Sequence, residues 1–205
     1  MEAAVALLDE EGADRLTMRR LAERLDTGST TLYGHVATKD DVLDLALDAV
    51  YAEAPMPTGE DTDWKTAVSD LMTAWRAALL RHPWSAQLLG RPLLGPSMLA
   101  RNECLHAVLA RGGFNSPYLT DAAYALSNYV IGSTIMQLSW HTQGDAARDN
   151  AASHIIANRD TYPTLAAHLA TANTDWDTSF SRGLNGLLDG LAHHATGAGA
   201  SQGGE

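Results

Sequence analysis

The residues with most to do chemically stand together near the start of the chain. Ser29, Thr30 and Thr31 are consecutive small polar donors at the head of a short helical pattern. Hydroxyls and backbone N–H groups so placed are the groups that enter a major groove and reach phosphates and base edges. On the preceding pattern Arg15 and Arg19, and again Arg20 and Arg24, are spaced i, i+4 and read as two small basic clusters.

Two short helices must position these groups. The stretch from Leu16 to Leu25 places Leu21, Ala22 and Leu25 on an inner face, Asp26-Thr27-Gly28 is a turn, and Ser29 to Val36 is the second helix. Two helices joined by three residues make a helix-turn-helix. Asp tolerates a left-handed backbone and Gly can serve as an N-cap, so the turn is feasible. Val5, Leu7 and Leu8 predict a helix before this pair, ending near Gly12. Thr38 predicts the cap of a fourth helix, with Asp40 and Asp41 in the first turn, where the helix dipole favours acids.

The pattern Leu16, Thr17, Leu21, Ala22, Leu25, then Thr31, Leu32, Tyr33, His35, Val36, Lys39 and Leu43, resembles the signature of the TetR family of bacterial repressors. Taken singly, Tyr33 and Leu32 would read as core, His35 as a helix-end histidine and the arginines as a solvated face; the shared spacing favours DNA. The resemblance implies that Arg19 lies near bases, that Ser29, Thr30, Thr31, Gly34 and His35 read the groove, and that Tyr33 and Lys39 hold phosphates. Thr17 and Arg20, at the start of the preceding helix, complete the expected contact set. The usual Gly-Val-Ser of the turn is replaced here by Asp26-Thr27-Gly28.

The remaining chain also reads as helix: apolar residues recur at three and four, with Pro and Gly at the boundaries. Helices are expected from about Asp63 to His82, over a short piece at Trp84 to Leu89, and from Pro96 or Ser97 to Gly112. Ser116-Pro117 should open a long apolar helix with Pro117 at its first position, reaching about His141. Residues 142–150 read as a polar stretch and 151–172 as helix broken at Tyr162-Pro163. Thr174 is the expected cap of the last helix, and the Gly/Ala/Ser-rich tail reads as disordered. The expected fold is all-α: an N-terminal three-helix head over 1–46, a larger helical ligand-binding and dimerisation domain over 47–195, and a tail over 196–205.

Composition bounds the partners. Net charge is −11, and residues 1–50 hold five basic against eleven acidic side chains. Non-specific coating of nucleic acid is therefore disfavoured, whereas sequence-specific binding depends on the field at the contact face. No apolar run is long enough to span a bilayer and no signal peptide is visible, so a cytoplasmic protein without a membrane partner is expected. The single Cys104 excludes an intramolecular disulfide framework.

The resemblance extends to the tetracycline-repressor branch through Trp64, Ala78-Leu79-Leu80, His82, Gly113-Phe114 and Tyr124-Ala125-Leu126-Ser127. It implies an inducer domain that forms a homodimer through two long late helices, 117–141 and 175–193. Gly132, Ser133, Ser179, Gly183, Gly186 and Gly190 would let helices approach closely, within one chain or between two. The stretch 85–90 lacks the histidine with which that branch holds a drug-bound magnesium. Leu71, Trp75, Trp84, Leu89, Met98, Met136 and Trp140 suggest instead an apolar, aromatic cavity, with Arg101, Asn102 and Asn128 as polar anchors.

The expected function is a repressor that binds a palindromic operator in double-stranded DNA and is released by an apolar or aromatic small-molecule inducer, without catalytic residues, metal or cofactor. A metal- or redox-sensing repressor of the same fold is the alternative, resting on eight scattered histidines and Cys104. An all-helical enzyme or a plain dimerisation module is further off. No Gly-rich phosphate loop, Gly-x-Ser-x-Gly, paired-carboxylate motif or zinc-hydrolase helix is present.

Overall fold

The computed structural model describes residues 1–57, 62–91, 94–142, 144–169 and 175–197, and every regular element in them is helical. The head comprises α1 (Glu2–Glu11), α2 (Met18–Arg24) and α3 (Ser29–Tyr33). Thr17 caps α2, its hydroxyl accepting from the Arg20 N–H at 3.2 Å. The turn closes through Asp26 at φ 49°, the left-handed backbone that Asp tolerates, and Gly28 is the N-cap of α3. Leu21 and Ala22 are buried as expected, but Leu25 is 45% exposed, because the chain leaves the helix there as its C-cap. α3 stops at Tyr33, short of Val36, and Gly34 is its C-cap.

α4 (Lys39–Glu53) belongs to head and body alike. A capping box starts it: the Thr38 hydroxyl accepts from the Asp41 N–H, and the Asp41 carboxylate accepts from the Thr38 N–H at 2.8 Å. Val42, Leu43, Ala46, Leu47, Val50 and Tyr51 are all buried. That set is wider than one stripe, and α4 accordingly packs on α1 as well as on α5 (Trp64–Arg81) and α6 (Pro96–Arg111).

α5 is the central pillar of the body. Its buried set, from Ala67 and Val68 through Met72 to Leu79, packs against α4, α6, α7 (Tyr118–Thr142) and α10 (Trp176–Gly197). A one-turn 3-10 helix, Pro83–Gln87, follows it. Trp84 there donates to Asp9 of α1 at 2.7 Å, and His82 lies 2.8 Å from the same carboxylate and 3.1 Å from Glu53. The head is thus tied to the end of α5. Arg81 adds a 2.8 Å ion pair to Glu53. Burial pushes the Glu53 carboxyl up, but the hydrogen bonds from Arg81 and His82 outweigh it and hold the group below its ordinary range.

Further boundaries differ from expectation. α7 begins at Tyr118, one residue after Pro117. α8 (Gly144–Ala157) starts within the stretch taken as polar, where Ala146, Ala147, Ala151 and Ala152 supply helix propensity that polarity hides; α9 (Pro163–Leu169) follows the break at Tyr162. Thr174 lies outside the described residues, and Asp175 caps α10 by accepting from the Asp177 N–H at 3.1 Å. Of the tail expected to begin at Thr196, the first two residues end α10 and 198–205 lie outside the described residues.

Candidate nucleic-acid interface and ligand cavity

On the head, Thr30, Thr31, Tyr33, Gly34 and His35 are exposed together on one short helix and its end, while Leu32 between them is buried at 8%. Tyr33 is 53% exposed, so its phenol stands in solvent beside the exposed threonines. The buried Leu32 anchors the helix, and the Thr38 capping box fixes where Lys39 begins α4. The backbone of Ser29 opens α3; its side chain lies outside the described residues.

The arginines are not the open basic clusters that their spacing suggested. Arg19 pairs with Glu23 at 2.9 Å, Arg20 with Glu11 at 2.6 Å, and Arg24 with Glu10 through both arms of its guanidinium, the shorter at 2.5 Å. The Arg24 hydrogen bond holds the Glu10 carboxyl below its ordinary range. Thr17 is exposed but committed to its cap.

In the body, a cavity of about 430 Å³ lies among α4, α5, α6, α7 and the turn at Gly90 and Arg91. Four of the expected ligand residues meet in it: Trp75, Met98, Asn102 and Asn128. Others do not. Leu71 is core, and Leu89 is a half-buried residue packed on that core. Trp84 is buried by its bond to Asp9 at the head. Met136 lines a separate cavity beside α10, and Trp140 makes an edge contact with Trp176 at 6.3 Å.

Arg101 turns away from the main cavity. It is buried and donates to the carbonyls of Tyr51, Ala54 and Leu71 at 3.3, 2.6 and 3.4 Å. Burial lowers its pKa below the usual arginine range. Its place as polar lining is taken by residues that sequence reading missed. His106 continues the i, i+4 row of Met98 and Asn102, and Thr120, Tyr124, Ser127 and Ile131 form one stripe along α7. The His106 Nδ1 lies 2.7 Å from the Asn102 carbonyl. A carbonyl only accepts, so that nitrogen carries the proton and Nε2 is left as the acceptor of the neutral ring.

Two lining residues connect the cavity to α4. Tyr51 shares a ring contact with Trp75 at 5.4 Å, and burial pushes its phenol up to about 12. Arg91 reaches Asp40 and Asp44, near the start of α4, at 3.4 Å each.

A helix-turn-helix head that shares one helix with a body enclosing a ligand-sized cavity defines a ligand-responsive DNA-binding regulator. Residues 1–46 match the family described as bacterial regulatory proteins, tetR family, and 56–195 match the tetracyclin repressor-like C-terminal domain. The chain belongs to the TetR family, and it is a ligand-responsive transcriptional repressor. It is 44% identical over 194 residues to an HTH-type transcriptional regulator of Saccharopolyspora erythraea, covering 94% of this chain and 82% of that protein. It is 34% identical to the HTH-type transcriptional repressor DrrR1 of Streptomyces coeruleorubidus, covering 93% and 75%. The crystal structure of ActR from Streptomyces coelicolor in complex with actinorhodin superposes with a TM-score of 0.84 at 29% identity, covering 95% of both chains. Among the described residues no helix is long and apolar enough to cross a membrane, and no three His, Cys, Asp or Glu side chains gather as a metal site.

Proposed function

We propose that the chain works as a homodimer on a palindromic operator and leaves it when an apolar or aromatic ligand fills the cavity at Trp75. The head over 1–46 reads DNA, and the body over 47–195 senses the ligand and pairs two copies. Thr31, Gly34 and His35 face base edges with Thr30 and the start of α3, while Tyr33 and Lys39 meet phosphates.

The observation that carries this reading is that one helix, α4, bears the capping box of the reading face at one end and a cavity wall, Tyr51, at the other. A ligand that favours one setting of α4 changes the separation of two heads, and its effect cannot exceed its difference in affinity for the two settings. Two heads on a two-fold axis must sit about one DNA turn, roughly 34–36 Å, apart. The ligand's polar group would meet Asn102, Asn128 and His106 rather than Arg101.

Pairing through α7 and α10 is supported by Met136, an apolar residue of α7 that is 65% exposed. A Cβ added at Gly132, Gly186 or Gly190 meets open space, whereas one at Gly183 would collide with Tyr129 of the same chain. The first three glycines leave room for a second copy, and Gly183 serves packing within one. The test is sedimentation, followed by fluorescence titration with duplexes selected from a random library. A monomer, or binding indifferent to half-site spacing, overturns the reading.

A further inference from the structure

The cavity at Trp75 holds one polar group whose hydrogen-bonding sign is fixed. His106 is half-buried on α6, one turn after Asn102, and both line the cavity. Its Nδ1 is 2.7 Å from the Asn102 carbonyl and commits its proton there. In the neutral ring Nε2 is then an acceptor and nothing else. The other polar groups adapt: the Thr120 and Ser127 hydroxyls and the Asn102 and Asn128 amides can each donate or accept.

The charges around the cavity act against an acid. Among the described residues of the lining, Arg91 is the one side chain that is always cationic, and it lies 3.4 Å from both Asp40 and Asp44. One cation facing two carboxylates leaves a net negative corner. An anion entering beside it would give up water without gaining a free cation. The Trp75 and Tyr51 rings, both buried and 5.4 Å apart, supply an apolar wall for a flat molecule.

We propose that His106 sets the ligand class of this cavity: a flat, uncharged aromatic that carries a hydroxyl. The hydroxyl donates to the His106 Nε2 while the rings lie against Trp75. The proposal rests on the inducer reading of the cavity and narrows it. A ring without a donor covers Nε2, strips its water and returns nothing, and an aromatic acid meets Asp40 and Asp44.

Three probes of one ring system test it on the intact protein: 2-naphthol, 2-methoxynaphthalene and 2-naphthoate, each followed by its own fluorescence. At about pH 8 an ordinary imidazole is neutral and a phenol keeps its proton. Naphthol should bind on the order of tenfold more tightly than the ether, and naphthoate most weakly. His106→Phe should abolish the preference for naphthol over the ether. His106→Gln, whose amide oxygen can still accept, should keep part of it. The wild-type ranking and His106→Gln decide the matter if His106→Phe fails to fold. Asp44→Asn, which takes one carboxylate from Arg91, should tighten naphthoate severalfold and leave naphthol nearly unchanged. Trp75→Ala should weaken all three probes together. Equal affinity for naphthol and the ether, naphthoate binding more tightly than naphthol, or a preference that survives in His106→Phe overturns the proposal. If the probes remain sensitive to Trp75→Ala, the cavity is still the ligand site and only the ligand class falls. Probes indifferent to Trp75→Ala overturn the inducer reading as well.

Discussion

Asp48 of α4 and Arg101 of α6 each hold the end of the other's helix. The Asp48 carboxylate accepts from the Ser97 and Met98 N–H groups at 3.0 Å, capping an α6 whose own N-cap, Gly95, has no side chain to offer. A Cβ at Gly95 would fall on that carboxylate, so the glycine is required by the approach. In return Arg101 donates to Tyr51 and Ala54, the last carbonyls of α4. Removing the cap by Asp48→Ala should cost about 1 kcal/mol. Arg101→Met, which takes the donor from the buried Ala54 carbonyl and a second donor from the Tyr51 and Leu71 carbonyls, should cost about 2 kcal/mol. The double variant should deviate from the sum of the two, because both act on one joint. Urea midpoints check the stabilities; strict additivity would mean that the two contacts are independent.

The reading face makes a sharper demand. Tyr33→Ala and Lys39→Ala should weaken binding to specific and scrambled duplexes alike, because phosphate contacts carry no sequence. Thr31→Ala should cost about 1–3 kcal/mol on the preferred sequence and relax base preference. Fluorescence anisotropy against both duplexes separates the outcomes. Wild-type behaviour in all three variants would move the reading face elsewhere.

Three arginines of the head are held by glutamates. Glu10→Gln frees Arg24 from its two-armed partner. Affinity for random duplex should rise, and the slope of log affinity against log salt should steepen by about 1 if Arg24 then meets a phosphate. Glu11→Gln should act in the same way through Arg20. Unchanged slopes would place these arginines off the DNA.

The head was the legible part of the chain. Thr38 and the 26–28 turn are local devices, and their roles follow from residue type alone; the structure has both where the sequence placed them and adds Thr17 as the cap of α2. The body was legible as helices but not as a cavity. Arg101 and Trp84 have the chemistry of ligand anchors, and only the fold shows that one is turned toward α4 carbonyls and the other toward Asp9. His106 had the signal, an i, i+4 step beyond Asn102, but a lone histidine on a helix does not say which way its face looks. The glutamates that neutralise Arg20 and Arg24 are on α1, too far along the chain for an i, i+4 argument.

Acid should loosen the joint between head and body. Glu53 has a folded-state pKa below its ordinary value, so its ion pairs stabilise the fold above the carboxylate range and that stability is lost as pH falls through the folded value. At pH near 7 wild type should resist urea better than Glu53→Gln, and the difference should shrink as the pH falls to about 3. A difference of the same size at both pH values would exclude the carboxylate charge as its source.

Two tryptophans report on different places, Trp75 on the cavity and Trp84 on the joint with α1. Trp75 lines the cavity and touches Tyr51, whereas Trp84 is bonded to Asp9 and lies outside it. A ligand that quenches tryptophan fluorescence and releases DNA should lose both effects in Trp75→Ala. In Trp84→Phe, which keeps a ring but drops the indole N–H, the ligand should still bind and release DNA. Arg91→Gln should divide the two effects: the cavity remains, so quenching persists, but the tie from its rim to Asp40 and Asp44 is gone and release should weaken. Such a split is expected when one residue biases the setting of α4 without holding the ligand. Parallel loss of quenching and release in Arg91→Gln would make Arg91 a ligand contact instead. A normal response in Trp75→Ala would place the inducer outside this cavity.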